Sequence, residues 1–186
     1  MTFPDDAGGT SGSGNHLFDD DHPYERLVIL GRYDWESTAL RADLDAVSTD
    51  TAQRLRVPVA LVNVILDSAQ LMAGNHGLTG LVKDAGGTPI EWSFCARVLT
   101  EEAPCVVPDA RVHPVHHDNP LVTDGSIVAY AGVPLTTLDG HVIGAHCVID
   151  TRPREFGDAD LRVLRAAARE AAQAIERHRM TVSTGA

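Results

Sequence analysis

Few residues in this chain are equipped for chemistry. Three cysteines, Cys95, Cys105 and Cys147, and nine histidines are the candidate nucleophiles, bases and metal ligands. A cysteine reacts as its thiolate, and burial among apolar side chains raises its pKa and silences it. Cys105 stands beside Val106 and Val107, and Cys147 lies between His146 and Val148, so both read as small core residues. Cys95 falls in the first turns of a predicted helix, where the helix dipole favours a thiolate. His113, His116, His117 and Asp118 form the densest group of metal-ligating types. Pro114 interrupts that group and no cysteine accompanies it, so it reads as a solvated polar loop and no metal site is expected. His146, inside an apolar strand, has two readings: a pocket residue holding a ligand or haem iron, or a hydrogen-bonded core histidine.

The elements that must position these residues follow from hydrophobic periodicity. Leu27, Leu30 and Tyr33 suggest a short helix weakened by Gly31. Leu40, Leu44, Val47, Thr51 and Leu55 form one stripe of an amphipathic helix, capped by Ser37 or Thr38 and stopped by Pro58. Val59 to Leu66 is a nearly unbroken apolar run, the pattern of a central strand covered on both faces. Asp67, Ser68 and Ala69 turn it into a second strand, Gln70 to Asn75. Gly77 to Pro89 reads as a loop, and Ile90 to Thr100 as one helix. A short strand, Pro104 to Val107, precedes an irregular segment to Val122 that admits only brief helices between its prolines. Ile127 to Leu135 and His141 to Ile149 form a hairpin about Asp139-Gly140. Asp158 to Arg179 closes the chain as a strongly periodic helix. Hairpins in the middle and helices at the ends predict an α+β fold with a mainly antiparallel sheet.

Charge narrows the function. The 186 residues carry a net charge of −11, which disfavours a grip on a nucleic-acid backbone or anionic lipid. Five of those excess charges lie in residues 1–22, which contain Asp5, Asp6, Asp19, Asp20 and Asp21 without one Lys or Arg. With Gly8, Gly9, Gly12 and Gly14, that segment reads as a flexible acidic tail, and 181–186 as a disordered end. The remaining body is only mildly acidic, so helix N-termini and a few arginines would suffice for an anionic ligand in a local pocket. An odd cysteine count is no disulfide framework, no run approaches the ~20 apolar residues of a membrane span, and the N-terminus has no signal-like pattern. A cytoplasmic protein is expected.

Several ordered segments resemble a known family. They are Pro58 to Leu66, Ser93-Phe94-Cys95-Ala96, Val106-Val107-Pro108-Asp109-Ala110 and Asp118-Asn119-Pro120-Leu121-Val122. Tyr130-Ala131-Gly132-Val133-Pro134-Leu135, Gly140 to Gly144 and Cys147-Val148-Ile149-Asp150 complete the set. Together they resemble a GAF domain over residues 23–180. The resemblance implies a GAF-like central antiparallel sheet with N- and C-terminal helices on one face and ligand-pocket helices and loops on the other. It also implies a small-molecule-binding sensory module in signal transduction, a homodimer through the terminal helices, and an unidentified ligand. No segment resembles a kinase, cyclase or DNA-binding unit, so the domain is expected to act through a partner protein.

Two ligand classes of that family are disfavoured. The only lysine, Lys83, follows Val82 and not the asparagine of cyclic-nucleotide-binding members, and no Cys-His pair is present to carry a bilin. Trp92, Phe94 and Tyr130 are candidate aromatic walls, and Cys95, Asp109, Asn119 and His146 candidate polar anchors, of a mostly apolar pocket. An alternative is a redox enzyme similar to free methionine-(R)-sulfoxide reductase, with Cys95 as the catalytic residue. The family's remaining cysteines belong in pocket loops, here Gly77 to Pro89 and Pro114 to Asn119, which contain none.

Overall fold

The structure is a computed structural model that describes residues 23–179. The expected tails, 1–22 and 181–186, lie outside the described residues. Six antiparallel strands form one sheet in the order β3-β2-β1-β6-β5-β4. They are β1 (Val59–Ile65), β2 (Ala69–His76), β3 (Gly87–Pro89), β4 (Cys105–Val107), β5 (Ala129–Thr136) and β6 (Val142–Asp150). Helices α1 (Pro23–Leu30), α2 (Thr38–Leu55) and α6 (Asp158–Arg177) are the long terminal ones. The short helices α3 (Gly80–Ala85), α4 (Cys95–Glu101) and α5 (Pro120–Thr123) lie between strands. Among the described residues, no helix is long and apolar enough to cross a membrane.

The sheet separates two cores. On one face, Leu40 and Leu44 of α2 and Ala171 and Ile175 of α6 pack on Val62 and Val64. Lower on the same face, Leu164 and Ala168 meet Ala131, Val133 and Val148. On the other face Leu61, Ile65, Tyr130, Ala145, Cys147 and Ile149 meet α4 and α5. Central strands sandwiched in this way are apolar on both sides, which is why β1 reads as a nearly unbroken apolar run.

Local chemistry sets the ends of α2. The Ser37 hydroxyl accepts a hydrogen bond from the Leu40 amide, and Arg56 closes the helix in the left-handed conformation at φ +52°. Arg154, nearly a hundred residues later, donates to the carbonyls of Leu55 (2.6 Å) and Arg56 (3.2 Å) while its guanidinium lies over the Phe156 ring. A cation on orphan carbonyls at a helix C-terminus is favourable by both hydrogen bonding and dipole.

Two expectations change. The predicted loop Gly77 to Pro89 contains α3 and the edge strand β3, because Gly80 and Gly86, at φ +65° and +66°, bracket a helix too short to display periodicity. The single helix predicted from Ile90 breaks into a 3₁₀ turn, Ile90–Trp92, and α4. At the break, Ser93 is extended and its hydroxyl donates to Gln70 Oε1 (2.6 Å), while Gln70 Nε2 donates to the Thr88 hydroxyl (2.7 Å). That buried chain pins the start of α4 onto β2 and β3.

Candidate functional site

Between the sheet and the α3–α4–α5 layer lies a cavity of about 290 Å³. Strands β1, β5 and β6 supply its floor through Leu61, Asn63, Tyr130, Cys147 and Ile149. Trp92, Phe94 and Cys95 close it from the side of α4, and Leu78, Thr79 and Val82 from the segment that holds α3. The lining residues include no lysine or arginine.

Asn63 is the polar centre of this floor. It is buried, and its Nδ2 donates to Cys95 Sγ at 3.2 Å and to Cys147 Sγ at 3.5 Å. Its Oδ1 has no partner among the described residues. An orphaned amide oxygen in a dry interior costs roughly 1–3 kcal/mol, so the position is maintained at the expense of stability. The one polar residue in the apolar run of β1 is a signal that sequence reasoning passed over.

The two sulfurs lie 3.7 Å apart, and the Tyr130 hydroxyl donates to Cys95 at 3.3 Å. Hydrogen bonding from Cys147, Tyr130 and Asn63 outweighs burial and lowers the Cys95 pKa. Cys147 is pushed well up, because it loses by giving its proton away beside Cys95 and because it is buried. Of the two thiols, Cys95 is therefore the more readily ionised. Burial raises the pKa of Cys105, which is not among the residues lining the cavity. Tyr130 keeps its proton, since burial and the neighbouring sulfurs raise its pKa well above 10.

Gly132 makes this geometry possible. It faces the cavity side opposite Cys147, and a β-carbon there would overlap the Tyr130 hydroxyl. We expect Gly132→Ala to expel the tyrosine hydroxyl from Cys95 and to lower the free energy of unfolding in urea by about 1–3 kcal/mol. A variant as stable as the parent, with unaltered tyrosine fluorescence, would contradict this account.

The predicted site residues divide into two groups. Trp92, Phe94, Cys95 and Tyr130 meet on the cavity. Asn119 caps α5 by accepting from the Leu121 amide and holds the Trp92 carbonyl at 3.1 Å, so it supports a wall without lining the cavity. Asp109 does not line the cavity: it caps the 3₁₀ turn Ala110–Val112 and pairs with Arg111 at 2.7 Å, which lowers its pKa. His146 points to the opposite face. Neighbouring strand residues alternate in direction, and since Cys147 faces the cavity, His146 faces the helices.

There His146 is fully buried, with Nδ1 2.9 Å from the Leu61 carbonyl and Nε2 2.9 Å from the Thr51 hydroxyl. A neutral ring satisfies both contacts when Nδ1–H donates to Leu61 and the hydroxyl donates to Nε2. Burial holds its pKa down at about 4, against the weaker opposing effect of the Leu61 carbonyl. His116 also departs from the expected solvated loop: it is buried, stacks on Phe94 at 4.1 Å and on His113 at 4.7 Å. His117 and Asp118 form an exposed pair. Among the described residues, no group of three or more His, Cys, Asp or Glu is arranged to hold a metal.

A family model described as the GAF domain matches residues 39–175. The chain belongs to the GAF domain family. Over 138 residues this GAF domain is 32% identical to a cyclic di-GMP phosphodiesterase of Pseudomonas aeruginosa, a match covering 73% of the chain. The chain spans only 22% of that relative's length. Among solved structures it is similar to the GAF domain of an Acinetobacter phosphoenolpyruvate-protein phosphotransferase, with a TM-score of 0.60 and 17% identity. That match covers 85% of this chain and 95% of the other. A type II free methionine-R-sulfoxide reductase from Thermoplasma acidophilum also superposes, with a TM-score of 0.60 and 14% identity over 76% of this chain and 95% of the reductase. Likeness at these identities shows a shared fold, while chemistry belongs to the site.

Proposed function

We propose that this GAF domain is a sensory module that binds a small, mostly apolar molecule in the cavity and passes its occupancy to a partner protein. The cavity between the sheet and the α3–α4–α5 layer, with the polar Asn63 in an otherwise mostly apolar lining, carries this reading. The aromatic wall of Trp92, Phe94 and Tyr130 suits a ligand with a flat body, and Asn63 and Gln70 are amide residues in the lining that could pair with a polar group on it. The volume, at the low end for ligand pockets, suits a compact metabolite. With no lysine or arginine in the lining, a phosphate-rich ligand fits poorly. A cyclic dinucleotide is therefore better placed as the substrate of the regulated partner than as the occupant, a role supported by the phosphodiesterase similarity.

We place a homodimer on the helical face, where α1 presents the exposed Val28. The free methionine sulfoxide reductase reading is weaker, because Cys95 and Cys147 are the only cysteines on the cavity and the loops around it carry none.

Native mass spectrometry of the purified protein, followed by a thermal-shift screen of uncharged aromatic and heterocyclic metabolites, tests the proposal. A true ligand at about 100 times its Kd adds close to 2.7 kcal/mol, and the gain should vanish in Asn63→Leu. A dimer mass, with or without retained ligand, is the expected spectrum. No stabilisation across the panel and no retained molecule would overturn the sensory reading, and turnover of free methionine sulfoxide would replace it with the enzymatic one.

A further inference from the structure

We propose that Cys95 and Cys147 form a peroxide-responsive dithiol, oxidised reversibly to a disulfide across the cavity floor. Two independent features converge on the pair, and a third cysteine supplies a control. The sulfurs are already 3.7 Å apart on different elements, α4 and β6, and both belong to the cavity wall. Two donors, Asn63 Nδ2 and the Tyr130 hydroxyl, are aimed at Cys95 Sγ, the arrangement that stabilises a thiolate against the cost of burial. The third cysteine, Cys105, is buried away from the cavity and has no such donors among its interactions, which makes it an internal control.

The chemistry balances with a hydroperoxide as the only oxidant. The Cys95 sulfur attacks one peroxide oxygen: an S–O bond forms, the O–O bond breaks, and the leaving alkoxide or hydroxide takes the thiol proton to depart as alcohol or water. The Cys147 sulfur then attacks the Cys95 sulfenic sulfur, the S–S bond forms, and hydroxide leaves with the Cys147 proton as water. Two thiols and one hydroperoxide give one disulfide, one alcohol or water, and one further water. A dithiol reductant reverses the step by thiol–disulfide exchange.

A disulfide requires sulfurs about 2.05 Å apart, so the pair closes by less than the width of a methyl group. Cys95 is the first residue of α4, directly after the extended Ser93 and the turn at Phe94, where a short helix can shift. Closure draws the start of α4 toward β6, so oxidation remodels the wall that a ligand would touch. The proposal does not rest on the ligand reading, since the bond is detected on ligand-free protein.

The test is equimolar hydrogen peroxide on the reduced full chain, quenching, blocking of remaining thiols under denaturing conditions, and peptide mass mapping. The expected product links the Cys95 and Cys147 peptides, disappears on treatment with dithiothreitol, and leaves Cys105 fully alkylated. Cys95 should be consumed about tenfold or more ahead of Cys105. In Cys147→Ser, Cys95 should instead give a dimedone adduct with no crosslink. Cys95 left alkylated, a crosslink to Cys105, or Cys105 reacting first would each overturn the proposal. Mapping of the parent protein decides the question even if the serine variant does not fold.

Discussion

Acidification from pH 7 to pH 5 is expected to remove about 2 kcal/mol of stability through His146 alone, and on the order of 3 kcal/mol by pH 4. In the unfolded chain a histidine titrates near pH 6.5, whereas burial holds His146 at about 4. Between those values the unfolded state binds the more protons, so stability falls as the pH drops through 6.5 and levels off below about 4. Protonation reverses the local pairing without breaking it, because Nε2–H then donates to the Thr51 oxygen and the hydroxyl proton turns to the Val47 carbonyl 2.9 Å away; the loss comes from burying the charge. His116, likewise held at about 4 by burial, with His113 and Arg97 contributing, adds a loss of the same sign. Urea unfolding at pH 7, 6 and 5 checks this. His146→Gln should lose distinctly less stability over that interval, with His116 supplying most of what remains. An unchanged slope in the variant would refute the assignment.

The second large effect is at Gly74. A β-carbon on this β2 residue would stand 2.5 Å from Leu44 Cβ and 2.7 Å from both the carbonyl carbon and oxygen of Leu44. The helix α2 thus approaches β2 at backbone contact, and Gly74→Ala has no flexible side chain to displace. The whole helix must lift, disturbing Leu40 and Leu44 in the core they share with Val62 and Val64. A loss of about 3 kcal/mol is expected, at the upper end for overpacking. Trimming Leu44 should not rescue it, because the clashing atoms are its β-carbon and main chain. Restored stability in a Gly74→Ala, Leu44→Ala double variant would show that the helix backbone is not the obstacle.

Much of this frame is legible in the sequence because its determinants are local. Ser37, the stripe through Leu40, Leu44, Thr51 and Leu55, and the heavily periodic α6 each carry their own signal. The α3 helix does not, since six residues cannot complete two turns. The site is harder for a different reason. His146 and Cys147 must face opposite ways, but strands apolar on both sides give no cue to which side holds the cavity. Asn63 is the cue: a lone amide in a buried run marks the face with polar business, and its register opposite Ala145 puts Cys147 on the same side. Arg154 on the end of α2 is a contact across nearly a hundred residues that no window of sequence contains.

The two margins of the sheet are its shortest strands, three residues each, and prolines close them off: Pro89 ends β3, while Pro104 and Pro108 flank β4. Proline offers no amide, and a three-residue ladder gives an incoming strand little to pair with. The described part of the protein is therefore poorly templated for edge-to-edge stacking into a continuous sheet.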